Sequence, residues 1–149
     1  MKLTASFPRI IKSHLEKNKL NHAYLLYGPG RKIKTAFEFA RTILGQKLCH
    51  HPDFIILQKE EGATQIKIES VREVRRRVSL RSSGKRVVMI KKAELLSLDA
   101  ANALLKTLEE PPMDTIFILT TANIREIIPT IISRCQNIGD SSWPKKWQR

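Results

Sequence analysis

Cysteine, acidic residues and long apolar runs are all scarce in this 149-residue chain. Its two cysteines, Cys49 and Cys135, are too few for a disulfide framework or for a zinc site of four cysteines. The longest apolar runs, such as residues 116–119, are far shorter than the roughly 18 residues that a membrane span needs. The first residues also lack the apolar segment of a signal peptide. These absences predict a cytoplasmic protein with reduced thiols and no membrane contact.

The shortage of acidic residues is uneven along the chain. Lys and Arg number 27 against 14 Asp and Glu, which gives a net charge of +13. Residues 67–92 contain ten basic and two acidic side chains, a net charge of +8, whereas residues 93–142 contain three basic and seven acidic ones, a net charge of −4. Such a concentrated basic stretch indicates a polyanionic partner, most simply nucleic acid. A solvated helix face without a partner is the alternative.

Apolar periodicity predicts a single α/β domain in which strands alternate with helices. The predicted strands cover residues 23–27, 54–57, 87–90, 115–121 and 135–138. The predicted helices cover residues 8–17, 34–44, about 69–79, from a cap at Ser97 or Asp99 to Leu108, and 127–133. This alternation is typical of a parallel sheet, here of five strands, with helices on both faces. The domain is predicted to end at residue 139, and residues 140–149 form a basic tail with two tryptophans, either disordered or folding on a partner.

A damaged phosphate-binding loop follows the first predicted strand. The P-loop pattern G-x-x-x-x-G-K-[ST] falls on residues 28–35, where Gly28, Lys34 and Thr35 are in register and Gly30 adds a second glycine to the turn. The glycine that the pattern requires directly before the lysine is replaced by Ile33. A β-branched side chain restricts the backbone and fills space that a close wrap around phosphate requires.

The third predicted strand carries a second defect. An NTP site needs a carboxylate for magnesium and an acidic neighbour after this strand. Here Lys91 and Lys92 follow it, and Glu94 comes two residues late. Lysine has no acceptor for a divalent metal. The two defects together predict a nucleotide-binding fold that has lost hydrolysis.

Four segments resemble one protein family, the bacterial clamp-loader subunits of DNA polymerase III. They are residues 22–29 (HAYLLYGP), 51–53 (HPD), 102–112 (NALLKTLEEPP) and 129–136 (PTIISRCQ), and the resemblance runs from about residue 8 to 139. It implies a P-loop NTPase-like fold of the AAA+ class. It also implies a subunit of a ring that loads a sliding clamp onto primed DNA during replication. Within the family, the delta-prime type is similar in its degenerate ATP site, whereas gamma and tau keep both nucleotide motifs.

The resemblance also implies roles for individual residues. Arg134 matches an arginine finger that is offered to a neighbouring subunit's ATP, and its alternative is an ion pair within its own chain. Thr121 matches a polar sensor, or else it caps its strand. A set of basic residues is expected to track DNA phosphates: Arg72, Arg75 and Arg76, extended by Arg81, Lys85 and Arg86.

The sequence departs from the family in two places. Many members carry a four-cysteine zinc module before His-Pro-Asp, whereas residues 45–50 here hold only Cys49. We therefore predict no zinc and interpret Cys49, His50 and His51 as a surface loop. The family's helical lid and helical collar have no counterpart here, which leaves open whether the sequence is a fragment or a reduced protein.

The leading hypothesis is a non-catalytic clamp-loader subunit without a cofactor, and weak ATP binding remains open. Its expected partners are other clamp-loader subunits and primed or duplex DNA, with the sliding clamp as a further candidate. Two alternatives stand beside it. One is a weakly active ATPase of the gamma or tau type that relies on Lys34 and Thr35. The other is a stand-alone module that binds DNA without sequence preference.

Overall fold

The computed structural model describes residues 7–45, 47–82 and 84–139 of the chain. The predicted basic tail, residues 140–149, lies outside the described residues. No helix in the described ranges is both long and apolar enough to cross a membrane.

Strands and helices alternate along the described chain as predicted. The strands are β1 (Ala23–Tyr27), β2 (Phe54–Leu57), β3 (Arg86–Ile90), β4 (Thr115–Thr121) and β5 (Gln136–Gly139). The helices are α1 (Arg9–Glu16), α2 (Lys32–Leu44), α3 (Ile68–Ser79), α4 (Leu98–Glu109) and α5 (Pro129–Arg134). Short 3₁₀ turns at Ala93–Leu95 and Ile124–Glu126 precede α4 and α5.

The strands form one five-stranded sheet in the order β2-β3-β4-β1-β5, and each neighbouring pair is parallel. This confirms the predicted parallel sheet. The central strands β3 and β4 are buried along their whole length, as expected for apolar strands covered on both faces.

Two apolar cores lie on opposite faces of the sheet. One contains Leu25, Val88 and Phe117 together with the inner faces of α3, α4 and α5. The other contains Tyr24 and Met89 together with the inner faces of α1 and α2. Alternate residues of each strand therefore serve alternate cores. Helices α3, α4 and α5 consequently share one face of the molecule.

Most element boundaries lie within one residue of the predictions, two helix starts differ by two residues, and one choice of helix cap is resolved. Helix α2 begins at Lys32, two residues earlier than predicted. Helix α5 begins at Pro129 rather than residue 127, because Ile127 and Ile128 have extended backbones between the 3₁₀ turn and the helix, and proline suits the first helical turn. Ser97, not Asp99, caps α4, since its side-chain oxygen accepts a hydrogen bond from the Ala100 N–H at 3.1 Å.

Candidate functional site

The carboxyl ends of β1, β3 and β4 meet at one edge of the sheet. Gly28 follows β1 with a φ of +123°, a conformation that favours glycine. Its N–H donates to the carbonyl oxygen of Thr121, the last residue of β4, at 3.1 Å. Lys91 follows the last residue of β3. The predicted phosphate loop, the two lysines and Thr121 therefore lie along the same edge, which we call the carboxyl edge.

The phosphate loop is altered by the early start of α2. Gly30 lies in the bend before the helix, and Ile33 already belongs to its first turn. The Ile33 side chain is half-buried and packs against the core beneath α2. Lys34 is exposed, whereas Thr35 is completely buried, and its hydroxyl has no hydrogen-bond partner among the described residues.

The two lysines after β3 are fixed through their backbones. The Lys91 N–H donates to the Leu57 carbonyl oxygen at 3.0 Å, which continues the pairing of β3 with β2. Lys92 has a φ of +55°, and its N–H donates to the Thr120 hydroxyl at 3.1 Å. These hydrogen bonds hold the backbones of both lysines at the carboxyl edge, directly after β3.

ATP with magnesium, which the P-loop pattern implies, does not fit this edge in a hydrolytic arrangement. The unpartnered hydroxyl of Thr35 could coordinate magnesium. However, the ammonium groups of Lys91 and Lys92 have no lone pair to offer a divalent cation. Their charge also opposes a metal at that position. The described residues include no group of three or more His, Cys, Asp or Glu side chains that could hold a metal ion.

Thr121 uses its hydroxyl locally. The Oγ1 atom donates to the Asn123 carbonyl oxygen at 3.2 Å and accepts from the Asn123 N–H at 3.3 Å. Thr121 is also completely buried. This arrangement is that of a turn-forming threonine at the end of a strand, and it favours the capping alternative over a sensor.

Helix α3 presents the predicted basic surface. Val71, Val74 and Val78 are buried against the core. Five of the six cations predicted for DNA contact are exposed, namely Arg72, Arg75, Arg76, Arg81 and Lys85. We call these five residues the basic surface.

One member of the basic surface is paired within its own helix. Arg76 donates two hydrogen bonds to the Glu73 carboxylate, from Nε at 3.0 Å and from Nη2 at 2.7 Å. The hydrogen bond lowers the pKa of Glu73 and raises the pKa of Arg76. The i, i+3 spacing of these residues was a signal that sequence reasoning could have used.

The expectation that Arg86 extends the basic surface is wrong. Arg86 is 6% exposed, and its Nε lies 3.5 Å from Oδ1 of the equally buried Asp53. Its Nη2 also donates to the Leu80 carbonyl oxygen, just beyond α3, at 3.2 Å. Phe54 pairs with Val87 in the β2–β3 register, so Asp53 and Arg86 are neighbours at the start of their strands. Sequence reasoning missed this pair because it treated all residues of the basic stretch as one surface.

Arg134 is the last residue of α5 and is exposed. Its Nη2 lies 3.6 Å from Oε1 of Glu109, and the two side chains are 50% and 43% exposed. Ile131, one turn earlier, is 1% exposed and anchors the helix in the core. Arg134 therefore stands on a fixed helix end, at the solvent boundary, with one acid of its own chain beside it.

The predicted surface loop of Cys49, His50 and His51 lies just before β2. Cys49 and His50 are exposed, and His50 has a φ of +61°. The Nδ1 atom of His51 accepts a hydrogen bond from the Asp53 N–H at 3.0 Å.

Comparison with protein families places these observations in context. A family described as "DNA polymerase III, delta subunit" matches residues 4–139. The delta' subunit of DNA polymerase III from Pseudomonas aeruginosa is 37% identical over 135 residues, which cover 76% of this chain and 41% of that protein. The tau subunit from Bacillus subtilis is 33% identical over 153 residues, covering 86% of this chain and 26% of that protein. The chain thus spans less than half the length of these relatives.

A solved structure supports the fold independently. A gamma-subunit-related protein of DNA polymerase III from Thermotoga maritima superposes with a TM-score of 0.73 at 21% identity, covering 87% of this chain and 45% of that one. At this level of identity the likeness concerns the fold alone. It confirms the predicted P-loop NTPase-like (AAA+) class.

Proposed function

The chain belongs to the DNA polymerase III delta-subunit family, and we propose that it is a non-catalytic, delta-prime-type clamp-loader subunit. In this proposal the subunit helps to load a sliding clamp onto primed DNA. It does so by offering Arg134 to the ATP of a neighbouring subunit and by laying its basic surface along DNA phosphates. Its partners are other clamp-loader subunits, DNA and the sliding clamp, and its location is the cytoplasm.

The observation that carries the proposal is the reversal of charge after β3. Lys91 and Lys92 occupy the positions where a hydrolytic site needs acidic residues, and the backbone contacts of both hold them there. Ile33 packs where the phosphate loop needs glycine. A chain without acidic magnesium ligands after β3 can contribute to ATP hydrolysis through side chains that reach the active site of a neighbouring subunit.

Arg134 is the group best suited to that contribution. A guanidinium is planar, carries its charge at every physiological pH and can bond phosphate through two donors at once. The residue is exposed at the end of α5, on the same sheet face as α3 and α4. A trans-acting arginine of this kind stabilises the charge that develops on the transferred phosphoryl group.

The basic surface supports a contact with nucleic acid that does not depend on base sequence. Its cations alternate with the buried valines of α3 and continue beyond the end of the helix. Cations at helical spacing recognise phosphates and carry no base information. Arg72 and Arg75 are the primary contacts, because Arg76 must exchange Glu73 for phosphate.

The proposal is tested by measuring ATP turnover and solution mass in parallel. The chain alone should hydrolyse no ATP above background with magnesium, and it should form a complex of larger mass when mixed with ATPase subunits of the gamma or tau type. Turnover that disappears in the Lys34→Ala variant would instead identify a working ATPase. A mass that never exceeds that of the separate components would favour the stand-alone DNA-binding module.

Residual nucleotide binding is a second candidate, favoured by two buried oxygens. The Thr35 hydroxyl and the Glu94 Oε2 atom have no hydrogen-bond partner among the described residues, and unpaired buried polar atoms are costly unless a ligand or water meets them. Equilibrium binding of ATP that is weakened by Lys34→Ala, without turnover, is the expected signature.

A further inference from the structure

We propose that Glu109 is a positioning residue for Arg134, holding one edge of its guanidinium so that the remaining donors are presented to a neighbouring subunit's phosphate. The inference rests on the proposed function, because it concerns the same arginine finger. It assigns a role to an acid that belongs to a different helix and lies 25 residues earlier in the chain.

The backbones beneath both side chains are fixed. Glu109 is the last residue of α4 and Arg134 the last residue of α5, and the two helices pack against each other. Leu108 and Ile131 are each 1% exposed and belong to the same apolar core. The distance between the two helix ends is therefore set by packing rather than by the ion pair.

The end of α5 is further fastened by hydrogen bonds. The Asn137 Nδ2 group donates to the Ile132 carbonyl oxygen at 3.2 Å, and the Cys135 N–H donates to the same oxygen at 3.2 Å. The Ser133 hydroxyl donates to the Thr130 carbonyl oxygen at 2.9 Å. The backbone at Arg134 is thus fixed, while its half-exposed side chain can change rotamer.

The ion pair with Glu109 restricts the rotamers of the Arg134 side chain. Within the described ranges it is the single acid within ion-pair distance of Arg134, and the contact joins Oε1 to Nη2 at 3.6 Å. A guanidinium has five N–H donors in a planar fork, so a contact through Nη2 leaves donors for phosphate. Because both side chains are about half exposed, the pair contributes little to folding stability. The pair instead orients the Arg134 guanidinium before the phosphate binds. Less conformational entropy of this side chain is then lost in the catalytic step.

The test compares two adjacent glutamates in the assembled loader. Glu109→Gln and Glu110→Gln remove the same charge from neighbouring exposed positions at the end of α4, and Glu110 makes no ion pair in the described part of the chain. With gamma or tau-type subunits present, Glu109→Gln should lower the kcat of ATP hydrolysis by about fivefold, the size expected for one partly exposed ion pair. Glu110→Gln should leave kcat unchanged, and neither variant should move the melting temperature of the chain.

A double-mutant cycle connects the effect to the arginine. In an Arg134→Ala background, Glu109→Gln should have no further effect on kcat. Equal effects of the two glutamine variants, a persistent effect without Arg134, or a rise in kcat in Glu109→Gln would each overturn the positioning role. If Arg134→Ala itself leaves the assembled ATPase unchanged, the proposed function fails, whereas a loss with Arg134→Ala and none with Glu109→Gln rejects only this inference.

Discussion

In the part of the chain that the structure describes, Arg76, Arg134 and Arg86 pair with carboxylates at different degrees of burial, and their roles differ accordingly. The pairs are Arg76–Glu73 on the open surface, Arg134–Glu109 at half exposure and Arg86–Asp53 in the interior. Water screens the first two pairs, so both contribute little to folding stability, and the half-exposed Arg134–Glu109 pair contributes at most about 1 kcal/mol. The interior pair lacks that screening, so removal of either partner leaves a buried charge uncompensated.

The interior pair should therefore be the one that matters for stability. Asp53→Asn keeps the size of the side chain but removes its charge, and Arg86 then lacks its partner at the junction of β2, β3 and the end of α3. We expect the free energy of unfolding, measured by urea denaturation, to fall by about 3 kcal/mol. Glu109→Gln is the matched control and should change it by less than about 1 kcal/mol. Equal losses in the two variants would contradict this distinction.

The two cysteines provide a second contrast, between an exposed thiol and a partly buried one. Burial raises the pKa of the Cys135 thiol to about 12, whereas Cys49 is exposed. The thiolate is the reactive form, and at pH 8 only on the order of 10⁻⁴ of a thiol with that pKa is ionised.

Alkylation with iodoacetamide at pH 8, followed by mass spectrometry of peptides, should therefore modify Cys49 and spare Cys135 in the folded chain. Denaturant should abolish the difference, because both thiols then meet the same solvent. Similar rates of modification in the folded chain would show that Cys135 is not protected by burial.

At the scale of single elements, α3 shows both the strength and the limit of sequence reasoning. The spacing of Val71, Val74 and Val78 predicted the buried face of the helix, because an apolar stripe of helical period has to meet a core. The same spacing did not separate Arg76, which pairs with Glu73, from Arg72 and Arg75. Which arginine pairs with Glu73 depends on side-chain geometry and not on the helical spacing of the apolar residues.

The boundaries of α2 and α5 were less predictable for related reasons. The P-loop pattern suggested a helix that starts with Lys34, but Ile33 gains contact with the core by joining the first turn. The apolar residues before Pro129 suggested a longer α5, although Ile127 and Ile128 are extended and Ile127 is buried in the core. In both cases tertiary packing determined where the helix begins.

Charge reversal on α3 is expected to weaken binding to duplex or primed DNA. A triple variant that changes Arg72, Arg75 and Arg76 to Glu should bind all DNA sequences more weakly. Its affinity should also depend less on salt concentration, since fewer counterions are released on binding. Glu73→Gln should have the opposite effect, because it removes a negative charge and releases Arg76. Fluorescence anisotropy across a salt series measures both.

The control for this experiment lies on the other face of the sheet. The control is a triple variant that changes Arg9, Lys12 and Lys17 to Glu, which alters the net charge by the same amount. These three residues lie on or just after α1 and are also exposed. Helix α1 packs in the core opposite α3. An equal loss of affinity in this variant would show that net charge, rather than the basic surface, governs binding.

At the scale of the whole molecule, the fold was predictable and the pairing of its charges was not. β4 illustrates the first point, since seven consecutive apolar or β-branched residues from Thr115 to Thr121 predicted a strand that is buried throughout. Arg86 illustrates the second, because nothing within the basic stretch marks it as buried. The pairing becomes visible only when the parallel register brings Asp53 beside it.

The arrangement of functional groups follows from the same architecture. Parallel strands place the loop after β1 and the lysines after β3 at one edge. The helices that return along the sheet place the basic surface and Arg134 on one face. Lysines in place of acids at the carboxyl edge, together with an exposed arginine at the end of α5, are the features on which the proposed role as a non-catalytic partner of an ATPase rests.

ATP hydrolysis by a reconstituted loader that contains the Arg134→Ala chain tests this account most directly. We expect the melting temperature of the chain to stay within a few degrees of the parent, since a half-exposed ion pair contributes at most about 1 kcal/mol. We expect ATP turnover of the assembly to fall by about 10³-fold, the scale of trans-acting arginines in other NTPases, with incomplete rescue by Arg134→Lys because lysine lacks the planar fork. An unfolded Arg134→Ala chain, or an assembly whose ATP turnover is unchanged, would contradict the assignment of Arg134 as the finger.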